Sequence, residues 1–137
     1  MSARSFFDSN VLLYTDDADA PVKRRVALDL LAQHRRDGTG VLSLQVLQEY
    51  FNAATRKLGV PAEIARRKVE LFAAHHVVVL DVDDVLGAID LHRLRKISFW
   101  DALIVRAASQ GGCSVIYSED LGAGTSFDRV RVVDPFR

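Results

Sequence analysis

Strand-length apolar runs alternate with helix-length amphipathic stretches along the whole of this sequence. The first run, Arg4 to Asn10, reads as a short strand built on Phe6 and Phe7 and ending in an acid, Asp8. Val41-Leu42-Ser43, the β-branched run Val77-Val78-Val79-Leu80, Cys113 to Ser118 and Val130 to Val133 supply four more strands. Between them, Val22, Val26, Ala27, Leu30 and Leu31 set a helix from Pro21 to about Arg36, with Asp19 as a candidate cap and Asp37-Gly38-Thr39-Gly40 as its stop. Leu47, Tyr50, Phe51, Ala54 and Leu58 mark a second helix from Leu44, and Ile64, Val69 and Phe72 a third from Ala62, its Arg66-Arg67-Lys68 facing outward. A helix opening at Asp81 to Asp84 carries Val85, Leu86 and Ile89 inward, and Leu94 to Ile97 reads as a loop. Ser98 opens the last helix, closed by Gly111-Gly112, and Glu119 to Phe127 reads as a loop. Such alternation requires an α/β fold: a largely parallel sheet of about five strands with right-handed crossovers and helices on both faces.

At 137 residues the chain fits one domain, 1–137. Its 49% apolar and 26% charged residues are ordinary for a globular protein that needs no disulfide staple. Cys113, the sole cysteine, sits in an apolar run and reads as a small core residue, which fits a reducing, cytoplasmic setting. No stretch approaches the ~18 uncharged apolar residues of a membrane span. Asp8 interrupts the apolar run that a signal peptide would need near the N-terminus.

Net charge is zero, which does not announce a nucleic-acid binder. The distribution says more. Asp8 ends the first strand, and Glu49 lies in the second turn of the helix after strand two. Asp101 lies in the first turn of the helix that Ser98 opens, and Asp120 follows the fourth strand. With those four set aside, 14 acidic residues face 18 basic ones, a surplus that allows basic walls around an acidic floor. Arg4, Arg93, Arg95 and Lys96 are the candidates for that rim.

The first and fourth strands are expected side by side where strand order reverses, the usual binding crevice of open α/β sheets. Carboxylates are hard ligands, so a site of acids alone suits Mg²⁺ or Mn²⁺. His34, His75, His76 and His92 show no zinc-ligand spacing. Each acid also has a structural reading. Asp8 could cap a turn, and Asp101 stands three residues after Ser98 in a capping-box arrangement. Glu49 could be a solvated helix residue, and Glu119 could replace Asp120 as a ligand. Two other functions stay open: a receiver-like module with a phosphoacceptor Asp, and a catalytically inactive interaction domain. The last strand offers the former no lysine.

Phe7-Asp8-Ser9-Asn10-Val11-Leu12-Leu13-Tyr14, Val46-Leu47-Gln48-Glu49-Tyr50-Phe51, Ser98-Phe99-Trp100-Asp101-Ala102-Leu103-Ile104 and Tyr117-Ser118-Glu119-Asp120-Leu121 resemble, in order, the acidic motifs of PIN-domain ribonucleases. The likeness is strongest to the VapC-like toxins of prokaryotic toxin–antitoxin pairs, and Ser9 departs from the Thr common there. The resemblance implies a PIN-like three-layer fold and a metal-dependent endoribonuclease. Asp8, Glu49, Asp101 and Asp120 would then hold one or two Mg²⁺ or Mn²⁺ ions, supported by hydrogen bonds from Asn10 and Ser118. It further implies in-line hydrolysis of RNA leaving 5′-phosphate and 3′-hydroxyl ends, a cognate antitoxin protein as partner, and a homodimer.

Overall fold

The computed structural model describes residues 3–137. Its elements run β1 (Arg4–Phe7), α1 (Ser9–Tyr14), α2 (Pro21–Asp37), β2 (Gly40–Ser43), α3 (Leu44–Arg56), α4 (Ala62–Phe72), β3 (His76–Val78), α5 (Val82–Arg95), α6 (Phe99–Gln110), β4 (Cys113–Tyr117), β5 (Ser126–Phe127) and β6 (Val130–Val133). One sheet holds every strand in the order β3-β2-β1-β4-β6-β5. All neighbours are parallel except β5, which lies antiparallel on β6. The sheet therefore has six strands. The sixth is the two-residue β5, too short to carry a pattern within the stretch expected to be a loop.

The order explains the layers. Crossovers from β1 to β2 and from β2 to β3 step one way across the sheet, and the crossover from β3 to β4 steps back. Right-handed connections in opposite directions place α1–α4 on one face and α5 and α6 on the other. Phe6 and Phe7 point to opposite faces of β1, and both are sealed from solvent. The Phe7 ring lies 5.3 Å from His34 of α2 and stacks at 5.6 Å on Tyr117 of β4. Gly111, at the end of α6, is required by a close approach: a Cβ there would stand 2.8 Å from a Val41 methyl.

Several expected details give way to tertiary context. The third strand ends at Val78, because β3 is a sheet edge with only β2 beside it, and Val79 is 69% exposed. Leu86 and Ile89 point outward, since α5 meets α6 through small residues, Ala88 against Ala102 and Gly87 beneath Arg106. Ile64 and Val22 are exposed; Ala65 and Phe72 bury α4, and Ala27 and Leu31 bury α2. The helix expected to reach Leu58 ends at Arg56; Phe51 of α3 and Leu58 beyond it stay partly exposed, while Leu47, Tyr50 and Ala54 carry its burial. Asp19 does not cap α2: Ala20 holds that position without a side-chain bond, and the Asp19 amide instead donates to Asp17 Oδ1 at 3.1 Å. The expected loop at Leu94 is the last turn of α5, which ends where Lys96 adopts a left-handed φ of 57°. Lys68 turns inward and bonds Asp16 at 2.9 Å.

Candidate active site

The ladder puts Asp8 and Ser118 together. Phe7 pairs with Tyr117 in parallel register, and the next amide, of Asp8, donates to the Tyr117 carbonyl at 3.0 Å. Residues in register on neighbouring strands face the same way. The Ser118 hydroxyl, fully buried, donates to Asp8 Oδ2 at 2.8 Å. Asp8 also caps α1, its Oδ1 accepting from the Ser9 amide at 2.8 Å. Capping and site duty are thus compatible, one oxygen to each.

Asn10 joins the two strand ends. Its amide nitrogen is within 3.2 Å of Asp120 Oδ2, 3.3 Å of Ser118 Oγ and 3.5 Å of Asp8 Oδ2. Its carbonyl oxygen accepts from the Glu119 amide at 3.2 Å, and the Asp120 amide donates to Ser118 Oγ at 3.2 Å. Asp8, Asn10, Ser118 and Asp120 therefore form one network at the carboxyl ends of β1 and β4, where strand order reverses.

Glu49 and Asp101 enter as charges. Asp8 is 8% exposed, and burial pushes its carboxyl up to about 6. The Ser118 and Ser9 hydrogen bonds pull it down, and the Glu49 and Asp101 carboxylates push it further up. Glu49 is half-buried and raised, first by desolvation and then by Asp101, against the Gln45 amide and the Ser9 hydroxyl. Ser98 caps α6 by accepting the Asp101 amide at 3.0 Å. The Asp101 carboxylate returns no bond, so the arrangement is a cap without the reciprocal half of a capping box. Among the described residues none of these four acids has a Lys, Arg or His ion-pair partner.

Glu119 is otherwise engaged. Lys23 Nζ donates to its Oε2 at 2.6 Å and the Tyr14 hydroxyl to its Oε1 at 2.7 Å, which lowers its carboxyl despite partial burial. Sequence reading missed this Tyr14–Lys23–Glu119 group. Lys23 stands in a basic run of the kind that usually solvates a helix face. Arg4 is also misplaced as a rim residue. It starts β1 beside Cys113 and donates to the Gly111 carbonyl at 3.0 Å, at the opposite end of the strand from Asp8. Arg95 is held by β5, donating to the Ser126 carbonyl and stacking 4.6 Å over the Phe127 ring. Arg93 and Lys96 are exposed at the end of α5.

The sequence matches the family model of the PIN domain over residues 5–132. The chain belongs to the PIN domain family. No curated protein matches it. Among solved structures, this PIN domain resembles VapC20 of Mycobacterium tuberculosis, described as a sarcin–ricin loop cleaving toxin, with 21% identity and a TM-score of 0.64 over 85% of this chain and 90% of that one. It also resembles a toxin–antitoxin complex from Klebsiella pneumoniae, with 19% identity and a TM-score of 0.68 over 98% of each chain. Both likenesses carry the fold, which is PIN-like rather than receiver-like.

The donor set of this PIN domain suits a hard divalent ion: carboxylates with no basic partner, one of them buried and pushed toward protonation. Among the described residues no three acids, histidines or cysteines stand together so that they could hold a metal ion. Mg²⁺ does not require such a group, since it keeps several waters and takes one or two carboxylates directly.

Proposed function

We propose that this PIN domain is a metal-dependent endoribonuclease and the toxin of a toxin–antitoxin pair. The observation that carries the proposal is the network of Asp8, Ser118, Asn10 and Asp120, with Glu49 and Asp101 acting on Asp8, in a chain of this family. The printed descriptions of the two structural neighbours, an RNA-loop-cleaving toxin and a toxin–antitoxin complex, support the same reading.

Asp8, Glu49, Asp101 and Asp120 would hold the ion, Mg²⁺ or Mn²⁺. Bound there, it would lower the pKa of an attacking water and offset charge on the scissile phosphate. Ser118 and Asn10 fix the directions of the Asp8 and Asp120 oxygens, as outer partners of metal ligands do. In-line attack by water on the phosphodiester would leave 5′-phosphate and 3′-hydroxyl ends. No protein nucleophile is needed, and among the described residues no histidine joins the network. Arg93 and Lys96 remain the proposed basic rim. An RNA substrate and an antitoxin partner would suit a cytoplasmic protein. No helix among the described residues is long and apolar enough to cross a membrane.

The same reading gives the chain a cognate antitoxin and a second copy of itself. Trp100, 63% exposed, stands with Leu44 and Val79 around one apolar cleft, which supports a protein interface on that face.

The proposal is tested by RNA digestion in Mg²⁺ or Mn²⁺, with and without EDTA. Wild type should cleave only with free metal, and Asp101→Asn should lose at least about 100-fold in rate, as removal of one transition-state stabiliser does. Cleavage that survives EDTA, or an Asp101→Asn protein of wild-type rate, would overturn it.

A further inference from the structure

A cleft of about 240 Å³ opens directly beside Asp120. It shares Asn10 and Asp120 with the carboxylate network. Leu13 and Tyr14 of α1 and Leu58 beyond α3 make its apolar walls, and Asp17 and Lys57 its polar ones. We propose that this cleft seats a nucleobase of the RNA strand whose scissile phosphate lies at the carboxylates, and that Asp17 and Lys57 read the edge of that base. The inference rests on the ribonuclease reading.

Size comes first. The volume is below the roughly 300–1,000 Å³ of pockets for drug-sized ligands, and it suits one flat ring. Rigidity comes second. Tyr14 is pinned by its hydroxyl bond to Glu119, by Lys23 lying 4.9 Å from its ring centroid, and by an edge contact at 4.8 Å with Phe136. Glu119 is neutralised by Lys23, so one of the acids at the cleft is already paired.

Polarity comes third. Among the described residues the Lys57 ammonium has no side-chain hydrogen-bond or ion-pair partner, and the Asp17 carboxylate accepts only the Asp19 amide. The Lys57 donor and the Asp17 acceptor thus stand, with Asp120, around a slot whose apolar walls are Leu13, Tyr14, Ala53 and Leu58. Guanine and cytosine each carry an exocyclic carbonyl and an exocyclic amino group flanking one ring nitrogen on the same edge, whereas adenine lacks the carbonyl and uracil the amino group, so an ammonium and a carboxylate set to span that edge match the first two. A guanidinium from a protein partner would find Asp17 and Asp120 but would also meet the Lys57 charge, which a neutral ring does not oppose.

Two measurements test the proposal and separate it from the ribonuclease reading. In the first, wild type, Asp17→Asn and Lys57→Gln digest short single-stranded RNAs that differ only at one nucleotide beside the cleaved bond. Wild type should prefer guanine or cytosine there, and each variant should shrink the preference about tenfold. In the second, neutral nucleosides are titrated into metal-free protein and followed by methyl NMR. Guanosine or cytidine should shift the Leu13 and Leu58 methyl signals in wild type and not in Lys57→Gln. Nucleoside shifts without any RNA cleavage would uphold the cleft and sink the ribonuclease. Cleavage with unchanged preference in both variants and no nucleoside shifts would sink the cleft alone. Arginine amide shifting these methyls where nucleosides do not would assign the cleft to a protein side chain and overturn the proposal.

Discussion

Asp8 carries a conflict that a metal would relieve. It is buried, it faces two other carboxylates, and its carboxyl is pushed from 3.8 to about 6. A raised folded-state pKa means that the folded protein binds the proton more tightly than the unfolded chain does. The associated stability is complete below about pH 4 and is lost as pH rises through about 6. At pH 7.5 the metal-free protein therefore bears a cost of at most roughly 3 kcal/mol at this residue. Asp8→Asn keeps an oxygen for the Ser9 amide and removes the charge. In EDTA melts it should match or exceed wild type at pH 7.5, and the gain should vanish by pH 4. A large loss of stability would instead make Asp8 a helix cap first. Ser118 supplies the hydrogen bond that most lowers Asp8, so Ser118→Ala should move the acid limb of the cleavage profile to higher pH, whereas a purely structural role would leave it in place. An acid at the end of a strand is visible in sequence, and so were the four carboxylates. The bond from Lys23 to Glu119 joins residues 96 positions apart, and no local pattern announces it, whereas the support of the acids by Ser118 was implied only by the family resemblance. Arg4 was misread for the converse reason. Four residues of extended strand span roughly 13 Å, so closeness in sequence became distance in space.

Among the elements, α4 shows how burial can be carried by a charge. Lys68 donates at 2.9 Å to both Thr15 Oγ1 and Asp16 Oδ1, and the sealed Tyr50 of α3 donates its hydroxyl to Asp16 Oδ2. The Lys68 ammonium also lies 5.4 Å from the Phe72 ring centroid. Asp16 thus ties the turn after α1 to both α3 and α4. Asp16→Ala would leave a buried phenol unpaired and a largely buried ammonium with only the Thr15 hydroxyl to bond, and should destabilise by about 2–3 kcal/mol in urea unfolding. A change within 0.5 kcal/mol would reduce the group to surface decoration. Helix existence and most helix starts could be read from caps and stops such as Ser98 and Gly38. Which faces turn inward was less legible. Ala65 and Ala88 do the packing while the larger Ile64 and Leu86 stay outside, because close helix approach selects small apolar residues over large ones.

For the whole molecule, topology does what pattern alone cannot. Reversal of strand order between β1 and β4 opens a crevice at their carboxyl ends, where Asn10 and Ser118 join Asp8 to Asp120 and where the charges of Glu49 and Asp101 act on Asp8. Alternation in the sequence was enough to require the parallel core of that sheet, but not the antiparallel β5 at its edge. The central claim is that these acids act as one divalent-ion site. It is tested most directly by titrating Mn²⁺ into the metal-free protein at pH 7.5 and following the free-ion signal by electron paramagnetic resonance. Wild type should deplete that signal stoichiometrically, and Asp8→Asn, Asp101→Asn and Asp120→Asn should each weaken the binding by about tenfold or more. Wild-type Mn²⁺ affinity in Asp8→Asn and Asp101→Asn would contradict the account.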